Sequence, residues 1–118
     1  MVPMRLSFIT YNLWLTERWP ARAGALERFL KLFTPDVLCV QELQPLTQEF
    51  LDGVLKEHDR VRDPFSGWTN ESNIYWSKML FQKVEHGAQE VGHPEPERRM
   101  FWARLRIKGL EFKFELQR

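Results

Sequence analysis

The sequence has a single cysteine, Cys39, among 118 residues. One thiol forms no disulfide within its own chain, which suits a reducing compartment; inside the apolar run Val37 to Val40 it reads as a small buried hydrophobe. An excess of charge of either sign is also lacking: 17 Lys and Arg stand against 16 Asp and Glu, a formal net charge of +1. The basic balance that favours non-specific adhesion to nucleic acid is therefore missing, so a nucleic-acid substrate is compatible with the chain without being indicated by its charge. No apolar run reaches the ~18 residues of a membrane span, and Met1 to Arg5 pass directly into a strand-like segment rather than a secretory leader. A soluble, unexported, cytoplasmic protein is the expectation. Aromatic residues, by contrast, are plentiful: 14%, with five Trp and nine Phe, enough for a packed core. The length fits one domain covering residues 1–118.

From Arg5 to Tyr11, Leu6, Phe8, Ile9 and Tyr11 surround Ser7 and Thr10 in a β-branched and aromatic run, a strand signal closed by Asn12. After Pro20, Leu26, Phe29, Leu30 and Phe33 recur at the i, i+3, i+4, i+7 spacing of an amphipathic helix, which Thr34-Pro35-Asp36 ends. Val37 to Val40 is a short continuous apolar run, the form of a strand covered on both faces. A second helix is expected from about Pro45 to Thr47 onward, with Leu46, Phe50, Leu51, Val54 and Leu55 along one side and fraying over Lys56 to Arg60. Asp63 to Glu71 reads as loop, Asn73 to Trp76 as a short strand, and Leu80 to Val91 as one long or two short strands. Gly92 to Glu97 reads as a turn, followed by alternating runs from Phe101 to Ile107 and from Leu110 to Leu116, the form of a hairpin.

The strand, helix, strand order between Asn12 and Glu42 carries the chemistry. A βαβ crossover makes its two strands parallel in one sheet, so both polar residues leave the sheet at the same edge, the edge where α/β sheets usually bind ligands. A carboxylate there suits Mg²⁺, which takes oxygen ligands and typically one or two protein carboxylates, filling its shell with water and phosphate. The amide of Asn12 adds a hydrogen-bond donor without a charge that repels phosphate. Structural readings stand beside these: Glu42 precedes a helix, where an acid complements the dipole, and Asn at a strand end commonly stabilises a turn.

Ile9-Thr10-Tyr11-Asn12-Leu13-Trp14, followed by Pro35-Asp36-Val37-Leu38-Cys39-Val40-Gln41-Glu42-Leu43, resembles the opening of the endonuclease/exonuclease/phosphatase (DNase I-like) superfamily. The resemblance implies a four-layer α/β/β/α sandwich, of which this chain matches roughly the amino-terminal half. It implies Asn12 as the active-site Asn, Glu42 as the ligand of Mg²⁺ (or Mn²⁺ in its place), and a phosphate-ester substrate, nucleic acid among the candidates. Glu71 to Trp76 resembles the family's central strand without its glycines, which makes Asn73 a candidate for substrate binding. Arg98 to Leu105 resembles the next strand, whose opening Arg contacts phosphate in some members; Arg98 and Arg99 are both candidates, and both also read as solvated charges beside Glu95 and Glu97. The family's later motifs, a strand with a His, Asp-x-Asn and Asp-His, have no counterpart, and His58, His86 and His93 read as surface residues. The expectation is therefore a metal-dependent hydrolase of phosphate esters, inactive as this chain alone. The alternatives are a non-catalytic interaction module that self-associates through its uncovered sheet, motivated by the aromatic run from Phe101 to Phe114, and a truncated gene product.

Overall fold

The computed structural model describes residues 5–109. Strand β1 (Phe8–Asn12) and strand β2 (Val37–Gln41) are joined through helix α1 (Trp19–Leu32) and run parallel, with Phe8 opposite Val37 and Asn12 opposite Gln41. Helix α2 (Pro45–Val54) follows, and its start is set locally: Pro45 supplies the first turn, while Gln44 and Thr47 form a reciprocal capping box, with Thr47 Oγ1 accepting the Gln44 amide at 3.0 Å. Strand β3 (His58–Arg60), the one-turn helix α3 (Gly67–Asn70) and strand β4 (Ser72–Ser77) complete a four-stranded sheet of order β1-β2-β4-β3, with β4 antiparallel to both neighbours. Strands β5 (Phe81–Gln89) and β6 (Met100–Ile107) pair as a separate antiparallel hairpin.

The large sheet has a core on each face. Leu38 and Val40 of β2 join Leu26 and Leu30 of α1 and Leu51 of α2 on one side. Val37 and Cys39 face the other side, where Trp68, Trp76 and Phe81 meet Phe101, Leu105 and Ile107 of the hairpin. Helices, sheet and hairpin thus form three layers of an α/β/β/α sandwich, and the continuous apolar run of β2 exists because both of its faces are covered. Burial also pushes the Cys39 thiol above its ordinary pKa, as expected for an inert packing thiol.

Several local expectations change. Lys56 to Arg60 does not fray: His58–Arg60 is a strand, held by pairing with β4 and by the Arg60 guanidinium, which grips both oxygens of Asp52 at 2.9 and 3.1 Å. Gly67–Asn70 is a helical turn rather than loop. Leu80 to Val91 resolves into a single strand with an irregularity between Lys83 and Glu85. Of the α1 stripe, Leu26 and Leu30 are buried, whereas Phe29 and Phe33 are exposed; Leu46 of α2 is exposed too. His58 and His86 are half-buried rather than surface residues, with His58 Nε2 2.6 Å from the Pro35 carbonyl. The aromatic run expected to be bare is covered on one face, since Phe101, Ala103, Leu105 and Ile107 turn inward; Leu110 to Leu116 lies outside the described residues. On the outward face Trp102 lies across Gly87, where an added Cβ would stand 2.6 Å from the indole.

Candidate functional site

The parallel pairing of β1 and β2 brings Asn12 and Glu42 to one rim. Asn12 Nδ2 donates to Glu42 Oε2 at 2.7 Å, and Asn12 Oδ1 accepts the Trp14 amide at 2.8 Å. The second bond fixes which way the amide points: its oxygen closes a turn and its nitrogen faces the acid. Glu42 itself has φ of 53°, left-handed backbone that costs a non-glycine residue about 1–2 kcal/mol. Its neighbours impose that conformation, because the Leu13 amide donates to Gln41 O at 2.8 Å and the Leu43 amide to Glu71 O at 3.2 Å. The chain turns sharply between these two anchors, and the turn presents the Glu42 side chain to Asn12 instead of continuing the strand. Backbone strain of this kind tends to gather at functional positions.

The segment after Asn12 is pinned from below. Trp14, Leu15 and Arg18 also have positive φ. Arg22, from the first turns of α1, reaches back to donate to Leu13 O and Glu17 O, both at 2.8 Å, with its guanidinium 5.5 Å from the Trp14 ring and 5.4 Å from that of Trp19. The loop is therefore held by a cation and two indoles.

Glu71, between α3 and β4, was not singled out by sequence reasoning, yet it stands at this rim. Desolvation is the main cause that raises its carboxyl pKa; Arg98 opposes the rise, and Glu95, Glu42 and Glu97 add to it. Arg98 bridges Glu71 at 3.5 Å and Glu95 at 3.2 Å, so it lies beside the Glu42 rim with its charge shared between two acids. Arg99 points elsewhere: its guanidinium lies 4.3 Å from the Phe65 ring and donates to the Pro96 and Ala88 carbonyls. Of the two arginines, only Arg98 is placed near Glu42.

Asn73 is 1% exposed. Its Oδ1 accepts the Val61 and Ile74 amides, and its Nδ2 donates to Val61 O and to Trp68 O at 2.9 Å. With that amide engaged on backbone from three segments, direct contact with a substrate requires breaking those bonds. The geometry makes Asn73 a clasp between β4, the β3 exit and α3.

Among the described residues, no three His, Cys, Asp or Glu side chains converge as a metal cage. Glu42 offers one carboxylate, oriented by an amide. That falls short of a closed structural site, but it matches the sparse protein contribution typical of Mg²⁺.

No family model and no curated protein matches the sequence. Solved structures do match in fold. D. rerio TDP2 complexed with single strand DNA product is similar with a TM-score of 0.73 at 24% identity, over 88% of this chain and 42% of that one. An endonuclease/exonuclease/phosphatase family protein from Bacteroides thetaiotaomicron gives 0.71 at 18% identity, over 92% and 48%. ANGEL2, a 2',3'-cyclic phosphatase, in complex with adenosine-2',3'-vanadate gives 0.64 at 18%, over 87% and 37%. The chain has the DNase I-like endonuclease/exonuclease/phosphatase fold, and it spans less than half the length of each of these structures.

Proposed function

We propose that this chain supplies the amino-terminal half of a Mg²⁺-dependent phosphate-ester hydrolase, with Glu42 as the metal ligand and Asn12 as the residue that orients it. The observation that carries the reading is the 2.7 Å bond between Asn12 and a Glu42 held in left-handed backbone at the carboxyl rim of parallel strands. The similarity in fold to a phosphatase and to a protein crystallised with a DNA product supports phosphate esters as the substrate class, nucleic acid among them. When bound, Mg²⁺ neutralises charge on phosphoryl oxygens. Mn²⁺ takes the same oxygen donors. Glu42 contributes a fixed anionic oxygen, Asn12 holds its rotamer and keeps an uncharged donor at the rim, and Arg98 offers a cation that can exchange Glu71 for phosphate.

Nothing among these residues is placed as a general base, and losing such a group costs about 10²–10⁴-fold in rate. The chain alone is therefore expected to show little or no turnover. Mn²⁺ binding followed by electron paramagnetic resonance tests the site: saturable binding in the native chain that is lost in Glu42→Gln supports it, and equal binding in both removes it. A chromogenic phosphodiester assay run with Mg²⁺ checks the expected inactivity.

The second reading, a module that associates through uncovered surface, is favoured by a specific feature. Among the described residues strand β1 is one of the two outer strands of the sheet; its Phe8 is 66% exposed, and beside it lie Leu32 at 74% exposure and the exposed Phe29 and Phe33. A groove of about 480 Å³ runs between α1 and β1. Free strand edges and apolar patches promote association. Light scattering coupled to size exclusion, across a concentration series, decides this reading: a monomer throughout ends it.

A further inference from the structure

The rim opposite Glu42 has the reverse electrostatic character. Trp76 pairs with Val37 at the beginning of β2, and Phe81 pairs with Ile107, so the turn after β4 and Lys108, just past β6, gather at the far end of the sheet, ~13 Å along the strand from Gln41. A groove of about 440 Å³ opens there, and Arg60, Arg62, Lys78, Lys83 and Lys108 line it from four separate segments. Asp59 also lines it, 3.3 Å from Arg62, Asp52 takes up Arg60, and Asp63 reaches Lys83 through His86, so two positive charges remain after these three acids are counted.

The cations are arranged rather than scattered. Lys108 Nζ donates to the Lys78 backbone carbonyl at 2.7 Å, and Lys83 Nζ lies 2.7 Å from His86 Nδ1. A backbone carbonyl positions Lys108 without neutralising it, while the imidazole beside Lys83 is in turn 2.8 Å from Asp63, which offsets part of that charge. Clefts lined by one sign of charge focus the field and concentrate ions of the other sign. The two aromatic residues at the groove, Trp76 and Phe81, are almost wholly buried, so neither offers a face on which a base could stack. What the groove offers is charge rather than a stacking face.

We propose that this groove binds a condensed phosphate, a di- or triphosphate group, through Lys78, Lys83, Lys108 and Arg62. The group is supplied either by an inorganic polyphosphate or by the phosphate tail of a nucleotide. The site does not depend on the Glu42 reading, because it uses none of that rim's residues.

Isothermal titration of the native chain with tripolyphosphate in EDTA, at near-physiological salt, tests it. EDTA removes divalent ions, so metal held by Glu42 cannot contribute, and Arg98→Ala, which should leave the binding unchanged, controls for phosphate capture by Arg98 at that rim. Saturable binding is expected at one site per chain. It should weaken at least tenfold in the double variant Lys78→Ala with Arg62→Ala, whose side chains are both exposed and whose fold is checked by circular dichroism. It should be unchanged in Glu42→Gln. A nucleoside triphosphate that binds as tightly as tripolyphosphate identifies phosphate alone as the ligand chemistry, and one that binds tighter identifies a nucleotide as the source. No saturable binding, equal binding in the double variant, or preference for a thymidine oligonucleotide over tripolyphosphate overturns the proposal, the last in favour of a nucleic-acid track.

Discussion

The left-handed backbone at Glu42 makes a quantitative prediction in which the carboxylate itself cancels. Glu42→Ala and Glu42→Gly both remove the acid and its bond to Asn12, so their difference isolates the backbone. Alanine keeps the strain of φ near 53°, about 1–2 kcal/mol, whereas glycine does not. Glycine in turn gains about 0.4–1 kcal/mol of unfolded-chain entropy that folding must overcome. The balance leaves Glu42→Gly more stable than Glu42→Ala by about 0.5–1 kcal/mol, a few degrees in Tm for a domain of this size. Urea denaturation at equilibrium, with m equal in the two variants, measures it. Alanine matching or exceeding glycine would refute the reasoning, since the Leu13 and Leu43 hydrogen bonds would then not be forcing a left-handed residue. The glycine variant should also lose divalent-cation binding while standing above alanine in stability, which separates the role of the side chain from that of the turn.

Tyr75 donates to Asp52 at 2.9 Å, and burial, followed by the charge of Asp52, drives its pKa far above the ordinary 10.0. Above pH 10 the unfolded chain therefore releases a proton that the folded chain retains, and stability should fall by up to about 1.4 kcal/mol per pH unit; Tyr75→Phe should flatten that limb of a pH-stability profile. Gly67→Ala places a Cβ 2.5 Å from the Phe65 ring and 3.1 Å from the Glu97 backbone, so a loss of about 1–3 kcal/mol is expected by thermal denaturation, and an unchanged Tm would contradict the packing described. Arg22→Ala should free residues 13–18, read as faster amide hydrogen exchange confined to that loop, with exchange in β2 unaltered.

The elements that sequence reasoning located are those whose cause is local. The unbroken apolar run Val37 to Val40 demands cover on two faces, and Pro45 with Thr47 starts a helix whatever surrounds it. The meeting of Asn12 with Glu42 was legible because a helical crossover permits only parallel strands. Strand β3 was not, since His58-Asp59-Arg60 has no apolar pattern and is extended only through β4 and the Asp52 pair. Glu71 escaped for a related reason: only the antiparallel register of β2 with β4, Gln41 opposite Ser72, brings it to Glu42, and no spacing along the chain encodes that pairing. Asn73 reads from sequence as a polar residue at a strand start; its role as a clasp depends on Val61 and Trp68, which arrive from other segments. Phe29 and Phe33 illustrate the opposite error, since helical periodicity identifies an apolar stripe without saying what lies against it.

Successive residues of β2 look into different layers: Leu38 and Val40 toward the helices, Val37 and Cys39 toward the hairpin. A probe moved by one position along this strand therefore changes which compartment it monitors. Fluorinated leucine at 38 and fluorinated valine at 37 would give separate spectroscopic windows on the two interfaces of one molecule. Their melting curves would tell whether the helical shell and the hairpin let go of the sheet together or in turn.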